Sequence, residues 1–171
     1  MYPKKVFKFC PKCSGKLVPQ RENFLKCLNC SFRFYINPLP CNAVVLENNK
    51  GEILLVKRKF PPKKDCWDLP GGFIQPNENL EESIKREVKE ELNIDISINR
   101  FIGIYSDRYL YQNINYPTLC VVVSAKTRKG KLLSKDDVSQ FRFFDKGLVL
   151  KQKIAFKGIL LSLKDYLKTR R

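Results

Sequence analysis

Apolar and polar residues alternate along this chain in a pattern that predicts short hairpins, further strands and two helices. In residues 15–26, GKLVPQRENFLK, apolar pairs flank a polar turn, as in a small hairpin. The prolines of residues 35–40, YINPLP, mark a connection to the next element. Residues 43–59 then place two apolar runs around Asn48, Asn49 and Gly51, which predicts a second hairpin.

The middle of the chain carries the clearest helix signal. Asn79 and Glu82 are spaced as a capping box, apolar spacing continues to about Leu92, and Asn93 suits a left-handed helix end. The order of elements predicts an α/β fold. Further strands are predicted over residues 100–107, 118–126 and 140–144, and a second helix over residues 153–168.

Length and charge narrow the class of protein. The 171 residues suit one domain, or one domain with a small appendage. The longest apolar runs fall far short of the ~18 residues that span a bilayer, and no secretory signal opens the chain, so we expect a cytoplasmic protein outside the membrane. A formal net charge of +16 favours anionic partners, whether nucleotides, nucleic acid or an acidic membrane surface.

Four of the seven cysteines form two matched pairs near the N-terminus. Each CxxC can present two thiolates to one zinc ion, and four thiolates leave no open position for water, so such a site is structural. Zinc binding contributes roughly 10 to 16 kcal/mol to the folding of such small units. Disulfides, unrelated thiols or a redox CxxC are the alternatives. We predict a zinc ribbon over residues 1–37 with the ligands Cys10, Cys13, Cys27 and Cys30.

Six glutamates lie between Glu78 and Glu91 of this basic chain. On a helical wheel, Glu91 falls within the apolar stripe and Glu87 at its edge. The stripe consists of Leu80, Ile84, Val88 and Leu92.

The helical neighbours of these glutamates differ in charge. Lys85 lies four residues after Glu81 and Arg86 four residues after Glu82, which suits ordinary surface pairs, whereas Glu87 and Glu91 have no basic neighbour at those spacings. A carboxylate that points inward needs a cation, a hydrogen-bond donor or a proton. Oxygen ligands that converge from one helical face suit Mg²⁺ or Mn²⁺, so a divalent cation would resolve the conflict.

This segment resembles the Nudix signature, G-x5-E-x7-R-E-U-x-E-E-x-G-U with U an apolar residue. Only the second glycine differs, because Asn93 stands in its place. The neighbouring WDLPGG and FRFF, and a zinc ribbon ahead of the motif, are also similar to this family. The matching positions are Gly72, Glu78, Arg86, Glu87, Val88, Glu90, Glu91 and Ile94.

The resemblance implies an α/β/α sandwich around a mixed sheet over residues 38–171. It also implies metal-dependent hydrolysis of a pyrophosphate bond in a nucleoside diphosphate linked to another group. Arg86 would orient the glutamates and Glu78 would assist from the loop. One of these glutamates would act as the general base, since the chain contains no histidine. The implied ligands of Mg²⁺ or Mn²⁺ are Glu87, Glu90, Glu91 and the main-chain carbonyl of Gly72.

The sequence specifies the substrate less closely than it specifies the reaction. NADH pyrophosphatases of this family carry SQPWPFPxS after the motif, and residues 105–119, YSDRYLYQNINYPTL, lack it. We therefore favour an ADP-ribose-like compound or another nucleotide sugar over NAD(H). Tyr105 and Tyr109 could stack on a base, and Arg58 could contact a phosphate, although structural and surface roles suit these residues as well. An NAD(H) or RNA-cap pyrophosphohydrolase, a non-catalytic RNA-binding protein and a homodimer are the remaining hypotheses.

Overall fold

The structure, a computed structural model, describes residues 1–20 and 23–169. The chain divides into two compact units, one of Met1–Leu39 with Arg108–Thr118 and one of Pro40–Asp107 with Leu119–Arg171. Residues 21 and 22, in the polar turn predicted for the first hairpin, lie outside the described residues. The domain boundary after residue 37 stays a prediction.

The first unit contains a three-stranded antiparallel sheet in the order β1-β2-β3. The first two strands form the predicted pair, with Leu17 opposite Cys27. The buried core of this unit contains four residues, and two of them, Cys10 and Cys27, are cysteines, which leaves Leu17 and Leu25 as the apolar centre. The elements of this segment are α1 (Pro3–Val6), β1 (Leu17–Pro19), β2 (Phe24–Cys27) and β3 (Arg33–Tyr35).

The remaining strands form two further three-stranded sheets. The strands are β4 (Leu39–Leu46), β5 (Ile53–Arg58), β6 (Trp67–Asp68), β7 (Ile94–Tyr111), β8 (Ile114–Gly130) and β9 (Val138–Phe144). Their order is β4-β8-β7 in one sheet and β6-β5-β9 in the other. The helices are α2 (Leu80–Leu92), α3 (Lys146–Val149) and α4 (Lys157–Lys168). Within the described residues, no helix has the length and apolar character needed to cross a membrane.

The hairpin predicted over residues 43–59 forms only at its turn, where Glu47 and Ile53 make one antiparallel bridge. The turn itself forms, since the Asn48 amide donates to the Glu52 carbonyl and Gly51 has a φ of 81°. However, β4 and β5 belong to different sheets, and β5 pairs with β6 and β9 instead. Both strands contain runs of at least four buried residues, so both faces of each strand are packed. The local turn signal therefore specified a reversal of the chain, while distant strands supplied the partners.

Alternate residues of β4 and β5 pack against different helices. Ala43 and Val45 belong to a cluster with Ile159 and Leu163 of α4, together with Ile53 and Leu55 of β5. The residues that alternate with these along β4 and β5 belong to a second cluster, which contains Ile84 and Val88 of α2. Because successive strand residues point to opposite faces, the two clusters place helices on both sides of the strands. The α/β fold and its sandwich arrangement are confirmed.

The other strand predictions were correct in place but short in extent. The segments predicted over residues 100–107 and 118–126 are parts of β7 and β8, which neighbour each other in one sheet. A two-residue turn joins them, in which Gln112 and Asn113 both have positive φ values of 45° and 63°. Such turns match the twist of paired strands. The predicted C-terminal helix begins at Lys157, and α3 was not predicted.

Candidate functional site

Helix α2 presents the glutamates as the wheel predicts. The Asn79 side chain accepts from the Glu82 amide at 3.0 Å and Glu82 accepts from the Asn79 amide at 2.8 Å, so the capping box is formed. Asn93 ends the helix in the left-handed conformation, with a φ of 58°. Glu91 is 4% exposed, within the apolar stripe, whereas Glu90 faces solvent.

Glu91 is bonded to the loop that precedes the helix. Its Oε2 atom accepts a hydrogen bond of 3.0 Å from the Gly71 main-chain N–H. Burial raises the pKa of Glu91 well above its ordinary value, the negative charge of Asp137 raises it further, and the Gly71 bond opposes the shift. Helical spacing could not reveal this donor, because Gly71 lies twenty residues earlier in the chain.

Gly71 and Gly72 allow a close approach between this loop, β4 and α2. A Cβ atom on Gly72 would lie 2.6 Å from the Glu87 carboxyl carbon, and one on Gly71 would lie 2.8 Å from the Ala43 Cα. The Gly72 carbonyl accepts from the Asn42 amide at 2.8 Å. A carbonyl oxygen has two lone pairs, so this bond leaves one for a further partner.

The Arg86 guanidinium binds three carboxylates at once. It donates to both oxygens of Glu78 at 2.7 and 3.0 Å, to Glu87 Oε1 at 2.8 Å and to Glu90 Oε2 at 3.0 Å. A further bond of 3.2 Å reaches the Phe73 carbonyl. The bidentate pair with Arg86 lowers the pKa of Glu78 to about 2, and these carboxylates raise the pKa of Arg86. Arg86 therefore sets the orientation of Glu78, Glu87 and Glu90.

Helical spacing did not predict the partners of two of these glutamates. Glu82 was expected to pair with Arg86, but its carboxylate forms the capping box and Arg86 turns toward Glu78. Helical spacing assigned Glu87 no basic neighbour, yet the Arg86 side chain reaches it, as the resemblance implied. The three- and four-residue spacings describe neighbours on a straight helix, whereas Glu78 lies on the loop and draws Arg86 toward the start of α2. The pair between Glu81 and Lys85, at 2.6 Å, was predicted correctly.

A small recess beside Glu91 brings together charged residues from distant parts of the chain. Arg58, Asp68, Gly71 and Asp137 line it with Glu91. Arg58 forms an ion pair of 3.2 Å with Asp68. Burial raises the pKa of Asp68 to about 6, although Arg58 opposes this shift. Sequence reasoning missed Asp68 and Asp137, because neither lies in the glutamate motif and no spacing links them to it.

The carboxylates around α2 are of the chemical type that binds a divalent cation, although no three of them bring oxygens within 4.8 Å of one another in the described structure. Their negative charge exceeds the positive charge beside them, since Arg58 and Arg86 are the guanidinium groups that contact them in the described structure. A buried carboxylate with one main-chain donor, as at Glu91, favours a cation of high charge nearby. The six carboxylates are Asp68, Glu78, Glu87, Glu90, Glu91 and Asp137.

The four N-terminal cysteines form a second candidate metal site. Within residues 1–20 and 23–169, they are the one group of three or more cysteine or acidic side chains whose ligand atoms all lie within 4.8 Å of one another. The Sγ separations are 3.8 Å between Cys10 and Cys30, 3.5 Å between Cys13 and Cys27 and 3.3 Å between Cys13 and Cys30. Zn–S bonds of about 2.3 Å at a tetrahedral centre require S–S separations of about 3.8 Å, so the cluster fits zinc.

The main chain shapes both CxxC turns in the same way. The Lys12 amide donates to Cys10 Sγ and the Asn29 amide donates to Cys27 Sγ, each at 3.4 Å. Ser14 and Ser31, which follow the second cysteine of each pair, both have a φ of 58°. Amide donors stabilise thiolate sulfur, the form that binds metal. The two CxxC turns therefore hold their sulfurs with the same main-chain geometry.

The residues proposed for substrate contact lie in different parts of the chain. The Tyr105 hydroxyl donates to Asp165 of α4 at 3.0 Å, a contact that supports the structural role weighed for this residue. Tyr109 lies in the part of β7 that belongs to the N-terminal unit. Arg58 lines the recess with Glu91, but it also donates to the Pro62 carbonyl at 2.8 Å.

Known proteins resemble the chain in sequence and in fold. A family model described as the NUDIX domain matches residues 39–160. An ADP-ribose pyrophosphatase of Methanocaldococcus jannaschii is 32% identical over 163 residues, which cover 94% of this chain and 88% of that protein. A NAD-capped RNA hydrolase of Haemophilus influenzae is 34% identical over 103 residues, covering 58% of this chain and 38% of that protein. The crystal structure of a NUDIX hydrolase from Nitrosomonas europaea matches with a TM-score of 0.77 and 26% identity, covering 96% of this chain and 92% of that one.

Proposed function

The chain belongs to the Nudix family of pyrophosphohydrolases, and we propose that its substrate is ADP-ribose or a similar nucleoside diphosphate sugar. Nudix enzymes act on nucleoside diphosphate-linked compounds and use divalent metal ions. The single observation that carries the substrate class is the similarity to an ADP-ribose pyrophosphatase along 94% of this chain, since a match of that length includes most of both units.

The glutamates of α2 are the proposed ligands of Mg²⁺ or Mn²⁺. We assign Glu87, Glu90 and Glu91 to this set, with the second lone pair of the Gly72 carbonyl as a further ligand. When bound, the cation would neutralise charge on the pyrophosphate oxygens and make the attacking water more acidic. The buried position of Glu91 supports this assignment, because removal of a carboxylate from water is costly without a cation.

Arg86 and Glu78 act as positioning residues in this proposal. By bonding Glu78, Glu87 and Glu90 together, Arg86 holds two of the proposed ligands before substrate arrives. Such positioning removes the need to reorganise the side chains during the reaction. The proton acceptor is a glutamate of the set or Glu78, because the chain contains no histidine.

The cysteine cluster is the proposed zinc site, with a structural role. Four sulfurs complete a tetrahedral shell, which leaves no position for water or substrate. We further propose Arg58, Tyr105 and Tyr109 as residues to test for substrate contact. A cytoplasmic location and a homodimer stay predictions from the sequence.

A substrate panel tests the proposed reaction. We would incubate the protein with Mg²⁺ or Mn²⁺ and ADP-ribose, NADH, nucleotide sugars, modified nucleoside triphosphates and NAD-capped RNA, and separate the products by chromatography. ADP-ribose should yield AMP and ribose 5-phosphate at the highest kcat/KM. Glu91→Gln should abolish most of this turnover, whereas Glu81→Gln, which alters an exposed pair on the same helix, should not. Turnover of no compound in the panel would contradict the proposal.

A second candidate substrate is the cap of an RNA. The similarity to a NAD-capped RNA hydrolase over 103 residues and the net charge of +16 support this alternative. It predicts a higher kcat/KM for NAD-capped RNA than for ADP-ribose, and a preference that weakens as salt rises. A different result would favour a non-catalytic RNA-binding protein. In that case the wild-type protein would hydrolyse no compound in the panel, and both it and Glu91→Gln would bind RNA.

A further inference from the structure

We propose that Cys41 and Cys120 are an oxidation site, at which a hydroperoxide converts two facing thiols into a reversible disulfide. The modification goes beyond the proposed hydrolysis, since it requires neither substrate nor divalent cation. Neither cysteine belongs to a CxxC pair, and a long stretch of chain separates them, so their spacing does not indicate the pair. The fold brings the two thiols together.

Cys41 and Cys120 lie on neighbouring strands, with their side chains on the same face of the sheet. Strands β4 and β8 are neighbours in one sheet. Cys41 packs against the cluster that contains Ala43 and Val45 of β4 together with Cys120 and Val122 of β8. The two thiols share a hydrogen bond. Neighbouring strands lie about 4.8 Å apart, and disulfides join Cα atoms about 4.4 to 6.8 Å apart, so a bridge fits this sheet.

The two thiols differ in exposure and in acidity. Cys41 is partly exposed, whereas Cys120 is 7% exposed. The hydrogen bond that the Cys120 thiol donates lowers the pKa of Cys41, although burial and the charge of Asp68 oppose this shift. The same bond and burial raise the pKa of Cys120. Because an accessible thiolate is the form that a peroxide oxidises, Cys41 is the thiol oxidised first and Cys120 is the resolving thiol.

The reaction takes two steps, each of which balances. The Cys41 thiolate attacks one oxygen of the hydroperoxide, the O–O bond breaks, and a sulfenic acid forms while the other oxygen leaves and takes up a proton. The Cys120 sulfur then attacks the Cys41 sulfur. The S–O bond breaks, the S–S bond forms, and the hydroxide that leaves takes the Cys120 proton and becomes water. The two thiols are thus oxidised by two electrons and the peroxide is reduced.

Strand β4 connects this pair to the glycine loop of the proposed cation site. Cys41 forms a β-bridge with Phe73, and the Asn42 amide donates to the Gly72 carbonyl at 2.8 Å. An S–S bond of about 2.05 Å is much shorter than a contact between hydrogen-bonded sulfurs, so bond formation tightens β4 against β8. The loop bonded to β4 has to follow. We expect kcat to fall about 10-fold, because small displacements of catalytic groups are costly. This consequence, unlike the disulfide itself, rests on the proposed function.

Peptide mapping after oxidation tests the pair. We would treat the zinc-loaded full chain with hydrogen peroxide, block free thiols with N-ethylmaleimide, digest with trypsin without reductant and analyse the peptides by mass spectrometry. The proteins compared are wild type, Cys41→Ser, Cys120→Ser and Cys66→Ser. Cys66 is the matched control, because it is buried but lies beside β6 in the other sheet. Trypsin places Cys41, Cys120 and Cys66 in separate peptides, residues 34–50, 109–126 and 65–85.

Wild type and Cys66→Ser should yield a cross-linked pair of peptides joined through Cys41 and Cys120, and dithiothreitol should separate it. Cys120→Ser should instead accumulate a Cys41 sulfenic acid that dimedone captures, and Cys41→Ser should leave Cys120 free to react with N-ethylmaleimide. If both cysteines of the wild type are still blocked by N-ethylmaleimide, at a dose of peroxide that oxidises free glutathione, the proposal is overturned. This result needs no variant, so misfolding of a serine variant cannot obscure it.

Turnover of ADP-ribose separates the effect on rate from the disulfide and from the proposed function. In wild type, kcat should fall on oxidation and return with dithiothreitol, whereas Cys120→Ser should not show the dithiothreitol-reversible loss that accompanies the cross-link. An unchanged kcat in cross-linked wild type would overturn the effect on the glycine loop. Absence of turnover in the reduced wild type would contradict the proposed substrate, while the peptide map would still decide whether the disulfide forms.

Discussion

The cysteine cluster and the glutamate cluster place metal-binding atoms in two different ways. Main-chain turns bring the four cysteine sulfurs within 4.8 Å of one another. The glutamates of α2 are instead held in separate directions, Glu87 and Glu90 by Arg86 and Glu91 by the Gly71 amide. The first arrangement is complete as a coordination shell. The second keeps its oxygens bonded to protein groups.

This difference matches the role proposed for each site. A structural ion needs every coordination position filled by the protein, and two CxxC turns achieve this within a short segment. A catalytic ion must leave positions for water and phosphate, so its protein ligands cannot enclose it. Arg86 can keep several like charges close together while those positions stay open. We therefore expect the cysteine site to control folding and the glutamate site to control rate.

The largest expected effect is the loss of a cysteine ligand. Cys27→Ser should abolish zinc binding and unfold the N-terminal segment, because Cys27 is also one of its four buried core residues. Zinc content by atomic absorption and limited proteolysis would measure this. Cys66→Ser is the control, since Cys66 is buried but lies outside the cluster. Full zinc content in Cys27→Ser would contradict the proposal that Cys27 is a ligand of a structural zinc ion.

A smaller effect is expected when Arg86 is replaced. Arg86→Lys keeps the charge, but one ammonium group cannot reproduce the bidentate bond to Glu78 together with the bonds to Glu87 and Glu90. We expect kcat to fall about 10- to 100-fold, as for residues that orient metal ligands. Zinc content and Tm should change little. Lys85→Arg, on the exposed face of α2, serves as the control, and an equal loss in both variants would refute the positioning role.

The acidic recess should also make stability depend on pH. Between about pH 4 and 6 the folded protein holds a proton on Asp68, whose pKa is about 6, while the unfolded chain releases it near the ordinary value of 3.8. Stability therefore falls as pH rises through this window and then levels off. Relative to Asp68→Asn, wild type should lose about 2 kcal/mol between about pH 4.5 and 7.5. Urea unfolding without divalent cations measures this, and a pH-independent difference would contradict the shift.

The smallest effects should come from added methyl groups at the glycines of the two sites. A Cβ on Gly15 would lie 2.8 Å from the Asn29 Cβ and 3.1 Å from Cys27 Sγ, whereas one on Gly72 would meet the end of the flexible Glu87 side chain. Gly15→Ala should therefore lower Tm and zinc affinity. Gly72→Ala should lower turnover with little change in Tm, because the Glu87 carboxylate can move aside. Equal losses of Tm in both variants would show that the two sites are equally rigid.

Much of the local structure could be predicted from the chain. The capping box, the left-handed Asn93 and the inward position of Glu91 depend on neighbours within one or two helical turns. The paired CxxC spacing likewise predicted a cluster that the structure contains. The hairpin over residues 43–59 formed at its turn but did not extend into paired strands, since strand partners are chosen by packing over long distances.

The sequence by itself determined which residue types are available and which face of each local element they occupy. It identified the cysteine cluster, the glutamate helix and the family, because short fixed spacings carry that information. The resemblance implied that Arg86 orients the glutamates, but only the tertiary structure defined its bonds to Glu78 and Glu87 and showed that Gly71 donates to Glu91. It alone brought Asp68 and Asp137 beside that glutamate. Such contacts depend on where loops and strands meet in space, and no periodicity along the chain records them.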